Sequence, residues 1–444
     1  MTTFKSLGVV ALSLLCTLSP QLYAQDSGGG TMVMTLEECL SYAKEHSITL
    51  KQASIAVEDY MIDESSAKAT FLPTISGSAR QGLTNSPFYE GNSEKTSYSG
   101  SYGVDLSMTL YNGGANSLSL KRSKIYTEIA QLALEQADDD IEVAITRTYI
   151  EILYSIDEIA VAKNSLELSQ KNIERGSAMV EVGSMNEADY AQLLTAEATA
   201  RYEIVSAQTT LRNKYVVLKH LLEISDGAEL AVDPSSLPED LVLADIPSIE
   251  DVYGVAVDNR PEIISSTLDI KTALINEKIA KSGYLPTLKL TAGIGFDHSA
   301  PSDYTFSSQF NNNYSNTLGL SLSVPIFNNL QNKNAVRKSK NATKIANLQL
   351  AESSKNLYTT IEALHTNATN SYAMYIVSKS KLQALETSLK LITEQFNVGA
   401  KDIIDLLTEQ DDYRTSSQEY LESKYTLILN KALLEYYKTG IIKL

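Results

Sequence analysis

The side chains best suited to proton transfer or metal binding near neutral pH are four histidines, His46, His220, His298 and His365, and none lies within a helical turn of another. The two cysteines, Cys16 and Cys39, form no metal-binding cluster, and Gly293-Ile294-Gly295 lacks the third glycine and following helix of a phosphate-cradling loop. These spacings point away from an enzyme, a cofactor or a resident metal. The other chemistry-bearing constellation is acidic. Asp405, Glu409, Asp411 and Asp412 follow Val398-Gly399, and Asp189 follows Val182-Gly183 in the same way. Asn186 and Asp402 stand three residues before the first acid in each case, which is N-cap spacing, so each acid also suits the positive end of a helix dipole.

The elements that must position these acids are written twice. Thr35-Leu36-Glu37-Glu38 opens one unit and Leu72-Pro73-Thr74 closes its first helical stretch; Ser248-Ile249-Glu250-Asp251 and Leu285-Pro286-Thr287 repeat the pattern at an offset of 213. Ala43 falls on Ala256, Leu50 on Ile263, and Ala67-Lys68 on Ala280-Lys281. Beyond loops of unequal length the offset becomes 216. Leu106, Met108, Leu110, Tyr111 and Asn112 meet Leu322, Val324, Ile326, Phe327 and Asn328, and Val182-Gly183 meets Val398-Gly399. Two copies of one unit fill residues 35–223 and 249–444, joined by a Pro-bearing linker at 224–248.

Punctuation orders each unit. A helix of about 35 residues comes first and ends at Pro73 or Pro286, because proline lacks an amide proton and disfavours helical geometry in the residue before it. Alternating strands follow, from Thr74 to about Gln81 and Tyr102 to Tyr111 in the first unit, and from Thr287 to about Phe296 and Asn316 to Phe327 in the second. Loops rich in Ser, Asn, Tyr and Gly separate them, at about 82–98 and 297–314. No proline then occurs from 88 to 233 or from 326 onward, and between 115 and 225 glycine appears only at Gly176 and Gly183. The segment from about 115 to 180 is free to be one helix of roughly 100 Å at 1.5 Å per residue. A seam at Ile204, Leu211 and Leu218, and another at Tyr413, Tyr420, Leu427 and Leu434, repeats every seven residues, with Leu421, Tyr425, Ile428 and Ala432 as a companion row. Such seams suit coiled-coil packing and equally suit an ordinary amphipathic stripe.

The N-terminus, with Lys5 and an apolar run from Leu7 to Leu18 before Ala24-Gln25, reads as a secretory signal peptide over residues 1–24, followed by a linker at 25–34. Cys39 alone then remains, so the exported chain is held by packing rather than by an internal disulfide. Formal charge is −17 over 444 residues, which argues against nucleic acid as a partner. No remaining segment has eighteen consecutive apolar residues, so any membrane crossing falls to the strands. Strands of about ten residues are long enough when tilted, but four of them cannot close around a lumen and open edges cannot face lipid. Three chains would supply twelve strands.

The "TLEECLSYA" opening, the two helix-to-Leu-Pro-Thr junctions, the Tyr111-Asn112-Gly113-Gly114 strand end and the two Val-Gly turns resemble the TolC-type outer-membrane efflux protein family over residues 35–444. The resemblance implies an α+β membrane protein: a homotrimer with a twelve-stranded outer-membrane barrel continued by a periplasmic coiled-coil tunnel. It also implies a passive exit duct, partnered by a periplasmic adaptor (membrane fusion protein) and an inner-membrane RND or ABC transporter, in a tripartite efflux pump or type I secretion system. By the same resemblance Asp405 matches an acid ringing the periplasmic aperture, Thr408 stands where some members carry a second acid, and Lys401 matches a basic position that holds the closed tip. Val182, Gly183, Val398 and Gly399 become adaptor-contacting helix tips, and Pro73 and Pro286 the junctions from helix to barrel. Capping remains open as the whole role of Asp405, and loop packing as the role of the aromatic residues Tyr102, Tyr111, Phe296, Phe306, Phe310 and Phe327, which otherwise form girdles facing outer-membrane lipid. A soluble periplasmic coiled-coil scaffold is the competing class; it accounts for the helices but not for paired strand hairpins at equivalent points of a duplication.

Overall fold

A computed structural model describes residues 32–85, 96–224, 229–233, 245–300 and 302–442. The expected leader at 1–24, with Cys16, lies outside the described residues, as do most of the 25–34 stretch and most of the 224–248 linker. The described residues begin with strand β1 (Met32–Met34), then helices α1 (Leu36–His46) and α2 (Ile48–Ala69), strands β2 (Thr74–Asn85) and β3 (Thr96–Asn112), and helices α3 (Ala115–Glu181) and α4 (Glu187–Leu221). After strand β4 (Leu230–Val232) the order recurs: α5 (Ile249–Asn259), α6 (Pro261–Ser282), β5 (Thr287–Ala300), a short α7 (Phe306–Asn312), β6 (Tyr314–Ser323), α8 (Gln331–Asn397) and α9 (Ile403–Thr439).

Local chemistry sets these boundaries. Thr35 accepts from the Glu38 amide while the Glu38 carboxylate accepts from the Thr35 amide at 2.8 Å, a capping box that satisfies two orphan donors of α1. The helix of about 35 residues expected at the head of each unit is in fact two helices. In the first unit the break is at Ser47 (φ −53°, ψ 125°), whose hydroxyl caps α2 by accepting from Leu50. In the second it is at Arg260, 213 positions on, held extended (φ −72°, ψ 132°) because Pro261 follows it. Pro73 and Pro286 stand where expected, between the helices ending at Ala69 and Ser282 and the strands opening at Thr74 and Thr287.

The strands depart from their expected lengths in both directions. β2, β3 and β5 reach Asn85, back to Thr96 and Ala300, whereas β6 stops at Ser323, just short of Pro325, instead of continuing to Phe327. The stretch expected as loop at 297–314 holds α7, capped by Thr305. The four long strands make one antiparallel sheet in the order β2-β3-β5-β6, and β1 pairs with β4 in a separate parallel ribbon. Both hairpins keep the same register: Thr74 faces Ser107 and Ile75 faces Leu106, as Thr287 faces Ser323 and Leu288 faces Leu322. Asn116 donates to the Thr70 carbonyl, and Asn332, its counterpart, donates to the carbonyl of Gly283, so each long helix is pinned to the end of its preceding helix by the same bond.

α3 and α8 are each 67 residues, about 100 Å of helix. Among the described residues, three apolar clusters are distributed along this length instead of one compact core. One gathers Tyr149, Ile152 and Leu153 of α3 with Leu427, Ile428 and Tyr436 of α9, Leu218 of α4, and the β1-β4 ribbon. A second joins Val252 and Ala256 of α5 to Leu357, Ile361 and Leu434. The third lies at the far end, around Leu193, Phe396, Ile403 and Leu406. Of the heptad residues, Leu218, Leu427 and Leu434 are fully buried, each contributing about 2 kcal/mol of apolar burial, and all four of the companion row are buried too. Ile204, Leu211, Tyr413 and Tyr420 are only half-buried. Cys39 is free, buried in the first cluster.

Candidate functional site: a two-faced sheet and a helical tip

Alternation along each strand, combined with the register, sorts the sheet into two unlike faces. One carries Ile75 and Leu83 of β2, Val104 and Leu106 of β3, Leu288, Leu290 and Ile294 of β5, and Leu318, Leu320 and Leu322 of β6. The other carries Ser76, Ser78, Arg80, Ser101, Asp105, Lys289, Thr291, Thr317 and Ser321. The apolar face is uncovered: Leu318 is 80% exposed and Leu83 72%. A contiguous apolar surface of this extent marks contact with lipid or with another protein. Among the described residues, no helix is long and apolar enough to cross a membrane. β5, at 14 residues, is about 46 Å long and clears an apolar band of about 25 Å when tilted by about 40°.

Aromatic side chains mark both ends of the apolar face. Tyr111 lies opposite Leu288 at the helical end, and Phe327 is exposed just past β6. At the other end Tyr102 stacks on Phe296 with centroids 5.9 Å apart, and α7 lays Phe310 4.7 Å and Phe306 5.5 Å from the same ring. Tyr102, Phe306 and Phe310 therefore pack around Phe296, which is buried, while Phe306 and Phe310 remain exposed on their outer sides. His298 joins them, stacked on Tyr102 and Phe296 and resting over Gly100, where any Cβ would meet its ring at 2.2 Å. Gln309 of α7 fastens this cap, accepting from the Ser299 amide and donating to the Ser299 carbonyl as a neighbouring strand would.

The opposite end of the molecule is built from the two Val-Gly turns. Gly183 (φ +70°) and Gly399 (φ +74°) end α3 and α8 in the left-handed conformation, and the bonds Ser184 N to Met179 O and Ala400 N to Gln395 O close the same Schellman turn in both units. Val182 and Val398, immediately before these glycines, are 78% and 79% exposed. Asn186 and Asp402 then cap α4 and α9, each accepting at 2.8 Å from the amide of Asp189 or Asp405. Asp405 also meets Lys401, with Nζ 2.8 Å from its carboxylate; that hydrogen bond raises the Lys401 pKa. Thr408 is exposed one turn further along α9. Asp411, deeper in, is held by Arg414 at 2.6 Å, and Arg414 also approaches Glu203 of α4 at 3.4 Å. The geometry therefore brings Lys401 and Asp405 together, with Thr408 three residues further along the same helix.

Sequence reasoning did not find the charged cluster at the second helix break. Arg260, nearly buried, pairs with Asp139 of α3 at 3.0 Å and lies 4.8 and 4.9 Å from the ring centres of Tyr436 and Tyr437. The usable signal was an Asn-Arg-Pro helix stop and the Asp138-Asp139-Asp140 run, both set among apolar helix positions. Lys44 makes a parallel link from α1 to Glu142 and Asp138 at 2.6 and 3.1 Å. No group of three or more His, Cys, Asp or Glu side chains able to hold a metal ion occurs among the described residues.

An exposed two-faced sheet carried on paired 100 Å helices defines a protein whose strands offer an apolar face at one end while its helices extend far from it. The sequence profile of the outer membrane efflux protein family matches residues 39–222 and again 252–435, once per unit, and the chain belongs to that family. The outer membrane protein TolC of Salmonella enteritidis is 23% identical over 296 residues, a match covering 65% of this chain and 58% of the relative, so less than two thirds of that relative's length is spanned. Two solved structures share the fold: the outer membrane protein VceC of Vibrio cholerae (TM-score 0.75, 15% identity, 91% of this chain and 96% of that one) and the CmeC outer membrane channel of Campylobacter jejuni (TM-score 0.75, 18% identity, 92% and 86%).

Proposed function

We propose that three copies of this chain close their four-stranded sheets into a twelve-stranded barrel, continued by a periplasmic tunnel of coiled helices, and that the assembly is a passive exit duct. The observation that carries the proposal is the sheet: an exposed apolar face, a polar face and, among the described residues, unpaired outer edges on β2 and β6. Unpaired edges are not tolerated against lipid, and closure with other copies satisfies them while turning the polar face toward a lumen. The duct performs no chemistry and binds no cofactor. It receives substrate from an inner-membrane RND or ABC transporter through a periplasmic adaptor.

In this proposal the Schellman turns at Val182-Gly183 and Val398-Gly399 are the adaptor-facing tips, and Lys401 and Asp405 lie at the aperture, with Thr408 in the place of a second acid. Pro73 and Pro286 mark the passage from tunnel to barrel. The chain divides into a leader, two units and a connecting segment at 224–248. The test is purification from outer membranes in detergent, followed by mass measurement and planar-bilayer recording. A trimer giving stable single-channel currents supports the duct. A protein recovered without detergent that gives no currents supports the scaffold instead.

A further inference from the structure

The apolar face of the sheet is not evenly filled. At the duplication offset of 213, Gly77 and Ala79 of β2 stand where β5 carries Leu290 and Ala292. A leucine in one unit is therefore a glycine in the other, and a Cβ built on Gly77 would meet no atom within 4 Å. The result is a cleft of about 440 Å³ that crosses the face from Gly77 and Ala79, past Val104 of β3 and Ile294 of β5, to Tyr314 of β6, with Phe310 of α7 beside it. The register sets Gly77 opposite Val104 and Val104 opposite Ile294, so these positions share the apolar face. Val104, Ile294, Phe310 and Tyr314 are each about half exposed.

Polar groups on this face begin one row further from the helices. There Gln81 donates to the Tyr102 hydroxyl and accepts from the Tyr98 hydroxyl. His298, opposite Gly100 in the same row, is 9% exposed, and its buried Nδ1 has no partner among the described residues. Depth agrees with this change of chemistry. Ile294 is six residues beyond Leu288, about 20 Å along β5, or about 15 Å of depth at a tilt of about 40°. The cleft thus lies in the half of an apolar band of about 25 Å that is farther from the helices, just inside the aromatic cap.

We infer that the cleft holds the acyl chain of one membrane lipid, with the polar end of that lipid toward the row of Gln81 and His298. The inference rests on the reading of the sheet as a lipid-facing barrel wall and adds a defined lipid site to it. Water entering the cleft would find no hydrogen-bonding partners, and an empty cleft would forfeit dispersion contacts along its lining. A protein segment would bring backbone amides and carbonyls that nothing in the cleft satisfies. A further copy of the chain pairs along the edges of β2 and β6, in the plane of the sheet, and leaves the face of β3 and β5 open. A hydrocarbon chain fits the apolar lining and the position alike.

The experiment uses the full-length protein reconstituted in phosphatidylcholine vesicles that contain a small fraction of phosphatidylcholine with a diazirine midway along one chain. After irradiation, adducts are mapped by peptide mass spectrometry. Adducts at Val104, Ile294, Phe310 and Tyr314 are expected to exceed those at Leu290 and Leu320 several-fold and to saturate as the probe fraction rises, whereas those at the two leucines rise in proportion. Gly77→Leu, which installs the residue of the other unit, should lower cleft adducts several-fold and leave the leucine adducts unchanged. Ala79→Leu fills the same cleft from the next position on that face and carries the same expectation should Gly77→Leu fail to assemble. Proportional labelling of both surfaces, unaffected by either substitution, would mean ordinary annular lipid and overturn the site while the barrel wall stands. If neither surface is labelled, the sheet does not face lipid, and the barrel reading fails together with this inference.

Discussion

Lys401 and Asp405 form an ion pair across one turn at the start of α9, 2.8 Å apart, while the Asp405 amide is held by Asp402. The cap engages the backbone of Asp405 and the lysine engages its carboxylate, so the two roles are separable. Asp405→Ala keeps the Asp402 cap and removes the carboxylate. The expected result is unchanged thermal stability with altered single-channel conductance and weaker block by divalent cations. A variant with lower stability and unaltered currents would make Asp405 a structural residue only.

On the sheet, the two faces should respond oppositely to the same charge. Leu320→Arg places a cation on the apolar face and is expected to cost about 2–4 kcal/mol of insertion free energy near mid-membrane. Ser321→Arg, the adjacent residue on the polar face, should cost far less. Urea titration of folding into lipid vesicles separates them, and equal penalties would refute the assignment of faces.

Arg260 pairs with Asp139 at the junction between units, nearly out of solvent. Arg260→Met leaves that carboxylate without its partner and should destabilise the chain by about 3 kcal/mol. Replacing both residues, Arg260→Met with Asp139→Leu, is expected to recover part of the loss, read as the midpoint of thermal or denaturant unfolding.

Gly399→Ala meets no atom within 4 Å of the new Cβ, so its cost is conformational alone, from φ +74°. About 1 kcal/mol is expected, confined to the tip. Faster proteolysis near residue 399 with unchanged global unfolding is the signature to look for.

Burial pushes the Cys39 thiol up to about 12, from an ordinary value of 9.0. Tyr154 is likewise raised to about 12 from 10.0, first by burial and then by Glu158 and Glu422. Both groups are neutral in the folded chain, and both ionise more readily when unfolded. Their contribution to stability is therefore complete below about pH 9 and falls as pH rises from 9 toward 12. Cys39 should resist alkylation at pH 8 until the protein is denatured; rapid labelling of the native protein would contradict its burial.

Much of this architecture was legible in the amino acids because it is periodic and punctuated. Proline-free, glycine-poor tracts announced α3 and α8, and Gly183 and Gly399 announced their ends. The breaks at Ser47 and Arg260 were harder to see: a serine is an ordinary helix residue until its hydroxyl is known to cap, and the apolar periodicity runs through both breaks. α7 was concealed in a Ser- and Asn-rich stretch whose composition suits a loop, and it is held by contacts of Phe306 and Phe310 with Phe296 of β5, the strand just before it. Arg260 was obscured for a different reason. Its partners, Asp139 and Tyr436, are more than a hundred residues away on either side, and only tertiary folding brings them together.

Counterparts of this cluster in the other unit have diverged: Ser47 stands for Arg260, Lys355 for Asp139 and His220 for Tyr436. A single ancestral unit, assembling with itself, would have been bound to one kind of seam throughout. Two units in one chain are free of that identity, so the residues that join them can differ from their counterparts at positions 47, 355 and 220. The 67-residue helices have kept their length through this divergence while the polar residues between them have not. Within this one chain the two units thus share the span of their long helices more strictly than the residues that fasten them.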